Sequence, residues 1–341
     1  MEPEGRGVPL GGTGKTGEEE AEVRSDNALG LKVVRTPEER FAPLARNGLY
    51  PFRSHYVEDL PSFHGLRIHY LDEGNPSPSA PHTFLCLHGE PTWSFLYRKM
   101  IPVFVAAGCR VVAPDFMGFG KSDKPIRDSD YSFSLHRNVL LEFIQRLDLR
   151  NITLVCQDWG GVLGLTLPME MPWRFQRLLV MNTGLGTGRG LGKGFLAWRD
   201  YCNKNPDLPV GKLIKRGTQH LSEEEVYGYD APFPSATYKA GVRVFPNLVP
   251  SSPDAEGADI SRKAQQFWQH QWTGHSFMAI GAADPVLGLP VMMALHKCIR
   301  NCPPPLILKE AGHFVQEWGE EVATKALQHW DGATNGLQNK L

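Results

Sequence analysis

Leu154-Val155-Cys156 is an apolar run of strand type that stops at Gln157-Asp158, and Trp159-Gly160-Gly161 then opens a helical pattern. A chain turning that sharply from strand to helix throws the side chain at its tip clear of the backbone, where a nucleophile is useful. The tip residue is Asp158. An aspartate with an ordinary pKa of about 4 is ionised at neutral pH, so it can attack without first losing a proton to a base. It suits displacement at a saturated carbon bearing a leaving group. By itself an Asp-x-Gly more often marks an exposed acid where a strand ends, so the reading depends on partners elsewhere in the chain.

Two later strand ends supply them. Asp284, in Gly281-Ala282-Ala283-Asp284-Pro285, follows an apolar run at 276–280, and His313, in Glu310-Ala311-Gly312-His313-Phe314, follows another at 305–308. Alone, Asp284 reads equally as a turn residue before proline, and His313 as a buried, hydrogen-bonded histidine. Nucleophile, acid and histidine in that order, each at a different strand end, are hard to obtain by accident. No Asp or Glu occurs between Asn182 and Asp200, so the strand ending at Asn182 offers no competing acid.

The elements that must hold these groups alternate along the chain. Strand-like runs at 66–71, 83–87, 110–114, 154–156, 178–182, 276–280 and 305–308 alternate with helical patterns, one from Leu135 to Leu147 with Ser132 or Ser134 as cap. That rhythm predicts an α/β protein with a mostly parallel sheet covered on both faces. Residues 184–265 break it: a glycine-rich loop and helical segments at 195–203 and 222–229 read as a cap over the strand ends, where open α/β sheets bind ligands. The expected organisation is a disordered tail at 1–40, a main domain of 41–183 and 266–332, a helical cap at 184–265, and a flexible C-terminus at 333–341. Within the tail, Gly11-Gly12-Thr13-Gly14-Lys15-Thr16 imitates a phosphate-binding loop, but Pro9 stands where the first glycine belongs and no strand precedes it.

Composition narrows the function classes. With 341 residues, 41% hydrophobic and 10% aromatic, the chain can bury a large core. A formal net charge of -1 with no basic block argues against nucleic acid or an anionic membrane as partner. Neither a secretory signal nor a run of membrane-spanning length is visible, so the expected location is cytoplasmic. The six cysteines include no Cys-x-x-Cys pair, and neither disulfides nor a metal is expected.

His88-Gly89-Glu90-Pro91-Thr92-Trp93, the segment Pro114 to Pro125, Gln157-Asp158-Trp159-Gly160-Gly161 and Ala311-Gly312-His313-Phe314-Val315-Gln316-Glu317 together resemble the motifs of haloalkane dehalogenases. The similarity covers about residues 35–330. It is closest to the subfamily with an Asp-His-Asp triad and two halide-binding tryptophans. The resemblance implies an α/β-hydrolase fold with an eight-stranded sheet and an inserted cap, and no cofactor. It implies that Asp158 displaces halide to form an alkyl ester, and that His313, oriented by Asp284, activates water against the ester carbonyl. Backbone N–H groups of Glu90 and Trp159 would form the oxyanion hole. Trp159 and, by the motif Gly-Phe-x-Ala-Trp, Trp198 would donate indole N–H to the halide. Phe195, Phe245, Pro246, Val162, Val249, Val286 and Leu287 would wall the substrate pocket. The partners implied are a small halogenated alkane, water and halide, with the protein a monomer or a dimer.

Two rivals stand beside that reading. An epoxide hydrolase uses the same ester chemistry but needs acidic donors for the leaving alkoxide, for which Tyr201, Tyr227, Tyr229 and Tyr238 in the cap are candidates. A non-catalytic relative that binds a small apolar ligand would be expected to have lost a triad member, and all three are present.

Overall fold

Short apolar runs bounded by turn residues become the strands of one large sheet. A computed structural model describes residues 21–338 apart from 26, 28, 64 and 77–81. In chain order the strands are β1 His55–Val57, β2 Ile68–Glu73, β3 Thr83–Leu87, β4 Arg110–Pro114, β5 Ile152–Cys156, β6 Phe175–Met181, β7 His275–Gly281 and β8 Leu306–Leu308. They lie in the order β1-β2-β4-β3-β5-β6-β7-β8; β2 is antiparallel to both neighbours and the other pairings are parallel. Every residue of β3 and β5 is buried, as expected for central strands covered on both faces. The strand order reverses at β3, and Leu87 pairs with Cys156, so β3 and β5 end side by side. This is the switch point at which such sheets open a crevice.

The helices that frame the site are α1 Phe133–Arg146, α2 Trp159–Gly164, α3 Lys193–Lys204, α4 Val210–Gly217, α5 Glu223–Asp230, α6 Ala240–Leu248, α7 Ala258–His270, α8 Leu289–Cys298 and α9 Gly319–Gln338. Ser132 caps α1 by accepting from Leu135 N at 3.1 Å. Ser222 and Glu225 form a capping box at the start of α5. The glycine-rich loop before α3 has no regular structure and runs close to another stretch of cap backbone. Gly188 has φ +78°, and a Cβ there would lie 2.3 Å from the Ser252 carbonyl oxygen, so no larger residue fits. No helix among the described residues is long and apolar enough to cross a membrane.

Three boundaries differ from the sequence expectation. Residues 21–40 are not a tail: Val33–Val34 is buried between Val23–Arg24 and Lys124–Pro125 in a small antiparallel sheet. Arg35 pairs with Asp123, and the Thr36 hydroxyl donates to the Pro232 carbonyl at 2.7 Å, so the segment straps main domain to cap. Residues 1–20, with the Gly11–Thr16 run, lie outside the described residues. The cap boundary at 265 falls inside α7, whose Trp268 donates its indole N–H to Leu165 O at 2.8 Å and so fixes that helix to the main domain. At the other end α9 stays helical to Gln338, into the segment expected to be flexible.

A second tie joins cap and main domain. Arg98, 6% exposed, grips Glu317 through two parallel hydrogen bonds of 2.7 and 2.8 Å and reaches Glu225 of α5 at 2.6 Å. Tyr229 of α5 donates its hydroxyl to the same Glu317, and Lys99 Nζ lies 2.9 Å from it. Bidentate, charge-assisted geometry of this kind holds a buried guanidinium firmly in place.

Candidate active site

Asp158 stands between β5 and α2 at φ 50°, ψ -126°, a conformation L-residues rarely adopt. Neighbours hold it there: its N–H donates to Asn182 O at 2.9 Å, and the Thr183 hydroxyl donates to its carbonyl at 2.7 Å. The turn is tight because a Cβ at Gly160 would lie 2.0 Å from Leu87 O, which explains why that position carries no side chain. The Asp158 carboxylate is thereby turned out of the sheet at the mouth of the crevice.

The loop after β3 meets it. Glu90 N–H donates to Asp158 Oδ1 at 2.8 Å. His88 fixes that loop from behind, with Nδ1 2.8 Å from Gly89 O and Nε2 accepting from Phe116 N at 2.9 Å. Burial drives the His88 pKa down to about 4, so the ring is neutral, and those two contacts set its tautomer. Trp159 opens α2, so its backbone N–H has no intrahelical carbonyl to bond and is one of the free donors of a helix start.

His313 approaches from the other side, its Nε2 3.4 Å from Asp158 Oδ2 and its Nδ1 2.8 Å from Asp284 Oδ2. Asp284 is buried and well supplied with donors: Asn182 Nδ2 at 3.0 Å, Val286 N at 2.8 Å and Leu287 N at 3.1 Å, besides the imidazole. Burial would raise its pKa, but His313, Asn182 and the Val286 N–H outweigh that and hold the carboxyl well below the usual carboxylate range. For His313 burial opposes the charged form, yet the Asp284 and Asp158 carboxylates push the pKa up to about 10. Both carboxylates therefore favour the charged ring while Asp158 is free.

A cavity of about 160 Å³ lies over these groups, lined by Asp158, His313, Asp284, Glu90, Pro91, Phe195, Trp198, Leu213, Pro285, Val286, Leu287 and Phe314. Its wall is mostly apolar. Of the pocket residues expected from sequence, Phe195, Val286 and Leu287 line it. Phe245, Pro246, Val162 and Val249 do not. Phe245 is fully buried and packs its ring 4.7 Å from that of Trp159, so it backs the indole instead of facing the cavity. Pro246 is buried in α6, Val162 sits within α2, and Val249 follows α6. Leu213, on α4, and Pro91, Pro285 and Phe314 were not expected. The Val210, Leu213, Ile214 spacing could have indicated α4 but not which of its faces meets the site.

The two tryptophans differ in placement. Trp198 reaches the cavity from α3 and stacks on Tyr201, and its indole favours the charged form of the Glu90 carboxyl. Trp159 is 3% exposed and is not among the lining residues, its ring held between Phe245 and Phe133. Glu90 is itself buried, and burial followed by the Asp158 charge raises its pKa well above the ordinary value, which favours a neutral carboxyl. Its Oε1 is buried without a hydrogen-bond partner.

This arrangement, a half-buried carboxylate at a strained turn with an N–H aimed at one oxygen and a histidine–aspartate pair at the other, suits displacement followed by hydrolysis of the resulting ester. Comparison with known proteins agrees. Residues 82–320 match the family model described as the alpha/beta hydrolase fold. A haloalkane dehalogenase of Psychrobacter cryohalolentis is 44% identical over 307 residues, covering 87% of this chain and 98% of that protein. Haloalkane dehalogenase 1 of Mycobacterium tuberculosis is 42% identical over 313 residues, 89% of this chain and all (100%) of that protein. A tetrameric haloalkane dehalogenase from Paraglaciecola agarilytica superposes with a TM-score of 0.85 at 50% identity, covering 87% of this chain and 98% of that one. With these relatives matched along nearly their whole length and the site assembled at the ends of β3, β5, β7 and β8, the chain belongs to the haloalkane dehalogenases of the α/β-hydrolase superfamily.

Proposed function

We propose that the chain carries out the dehalogenase reaction, a halogenated alkane plus water giving a primary alcohol, halide and a proton, through a covalent ester on Asp158. A carboxylate oxygen attacks the carbon from behind the carbon–halogen bond, and halide leaves as the ester forms. His313 then takes a proton from water, which attacks the ester carbonyl carbon; Asp284 holds the ring by Nδ1. The oxyanion of that step falls to the N–H groups of Glu90 and Trp159. The observation that carries this reading is the position of Asp158 itself, bonded to the Glu90 N–H on one oxygen and within 3.4 Å of His313 on the other.

Trp159 and Trp198 are the proposed halide donors, since an indole N–H can donate but cannot attack. The cavity of about 160 Å³ is close to one that holds a benzene-sized guest, which points to short haloalkanes. We place the protein in the cytoplasm, as monomer or dimer, although the Paraglaciecola relative is tetrameric; sedimentation velocity decides the assembly.

The epoxide reading loses support from the cap tyrosines, none of which lines the cavity. The Tyr227 hydroxyl donates to Arg40 O at 2.9 Å, Tyr229 is held by Glu317, and Tyr238 is buried. Incubation with 1,2-dibromoethane and with styrene oxide separates the readings. Bromide release is expected; diol formation would favour the epoxide hydrolase, and neither product a non-catalytic binder.

A further inference from the structure

Gln157, the residue before the nucleophile, has a fully buried side chain. Its amide nitrogen lies 2.8 Å from His313 Nε2 and donates to the His313 carbonyl at 3.1 Å. Turning the amide over would set its oxygen against that carbonyl, acceptor facing acceptor, so the orientation with nitrogen toward His313 is the favoured one. One N–H then holds the loop that carries His313, and the other faces Nε2. A neutral ring protonated on Nδ1, toward Asp284, presents a lone pair there; an imidazolium presents a second N–H and meets a donor.

We infer that Gln157 is a positioning residue for the hydrolytic step: its carboxamide fixes the His313 loop against the end of β5 and favours the neutral imidazole once Asp158 has become an ester. The charged and titratable groups facing His313 are Asp284 from the loop after β7, Asp158 from the end of β5 and Glu90 from the loop after β3. In the free enzyme both aspartates favour imidazolium. Alkylation turns Asp158 into a neutral ester and removes one of them, while the Gln157 donor stays. The ring gives up its proton to solvent; the Gln157 N–H on the His313 carbonyl keeps the loop in place, while the N–H facing Nε2 yields that lone pair to the incoming water. Water then gives one proton to His313 and its oxygen to the ester carbonyl; collapse releases the alcohol and restores the Asp158 carboxylate.

This inference rests on the ester mechanism proposed above, so the test separates the two. Wild type, Gln157→Met and the nearly isosteric Gln157→Glu are mixed with 1,2-dibromoethane under single-turnover conditions, and alkylation and decay of the alkyl-enzyme are followed by quenched-flow intact mass across pH. Both variants should alkylate within about threefold of wild type, a margin on the order of one lost hydrogen bond, which also reports an intact fold. In Gln157→Met decay should slow, with its acid limb displaced upward by roughly 0.5–1 pH unit, the effect of losing a hydrogen bond to the neutral base. In Gln157→Glu a carboxylate beside Nε2 should displace the limb further in the same direction. A limb that stays in place in both variants, or moves to lower pH, overturns the inference even if decay is slower, because a purely structural role changes rate without changing the titration. Absence of any alkyl-enzyme in wild type overturns the ester mechanism, and the role of Gln157 with it.

Discussion

Replacing His313 by Phe separates the two chemical steps. In the free enzyme His313 Nε2 lies 3.4 Å from the Asp158 carboxylate, which favours the imidazolium. At an effective dielectric constant of about 20, such a pair attracts by about 5 kcal/mol. Attack on carbon neutralises the carboxylate and forfeits that attraction, so removing the ring does not slow alkylation on electrostatic grounds. The second step loses its general base, typically worth about 10²- to 10⁴-fold, or roughly 3–5 kcal/mol of barrier. His313→Phe should therefore release one bromide per chain from 1,2-dibromoethane in a burst at the wild-type rate or faster, then stall. The intact mass should rise by one bromoethyl group, located on Asp158 by peptide mapping. A folded variant that turns over steadily, or that shows neither burst nor adduct, would refute the assignment of His313 to the hydrolytic step.

Other perturbations follow from the same geometry. Asp284→Asn removes the negative charge beside Nδ1 and turns one of the two accepting oxygens into a donor, so alkyl-enzyme decay should slow by about 10²-fold or more and its acid limb should move to lower pH, read by single-turnover mass measurements. Trp198→Phe deletes a proposed halide donor; bromide inhibition should weaken by roughly tenfold, as for the loss of one hydrogen bond to an anion, measured by fluorescence titration. Arg98→Met leaves Glu317 buried without its guanidinium and should cost about 3–5 kcal/mol in chemical denaturation. Glu225 has its pKa lowered to about 2, with burial opposing and Arg98 favouring the charged form. Folded below unfolded, that pKa means stability present above about pH 4.3 and lost as pH falls toward 2; the thermal midpoint of Glu225→Gln should therefore depend less on pH across that interval.

Legibility in the sequence tracked how local each feature is. Asp158 could be found because a strand run, one acid and two glycines are contiguous, and Asp284 and His313 because each sits just past an apolar run. The central strands could be found because β3 and β5 are buried on both faces and read as unbroken apolar stretches. The strap at Val33–Val34 could not: two valines in a polar context become a strand only because Lys124–Pro125 lies opposite. The cavity wall is legible only in part for the same reason: Phe195, Val286 and Leu287 line it and the other expected residues do not. Whether Phe245 or Leu213 faces substrate depends on how α6 and α4 are rotated over the sheet, which helical spacing alone leaves open. The grip of Gln157 on His313 joins loops 156 residues apart, and a glutamine carries no signal of its partner.

The grip of Arg98 on Glu317 bears on traffic through the site. Glu317 stands four residues beyond His313, and Glu225 and Tyr229 belong to α5, so hinging that helix open would break the Arg98–Glu225 ion pair and the Tyr229 hydroxyl bond while Arg98 and Glu317 stay paired. Such a swing costs those two contacts. A route that leaves them intact runs between side chains at the half-buried front of α3, around Phe195 and Trp198. The width of that gap, more than the volume beneath it, would then decide which chain lengths are admitted and how quickly halide departs.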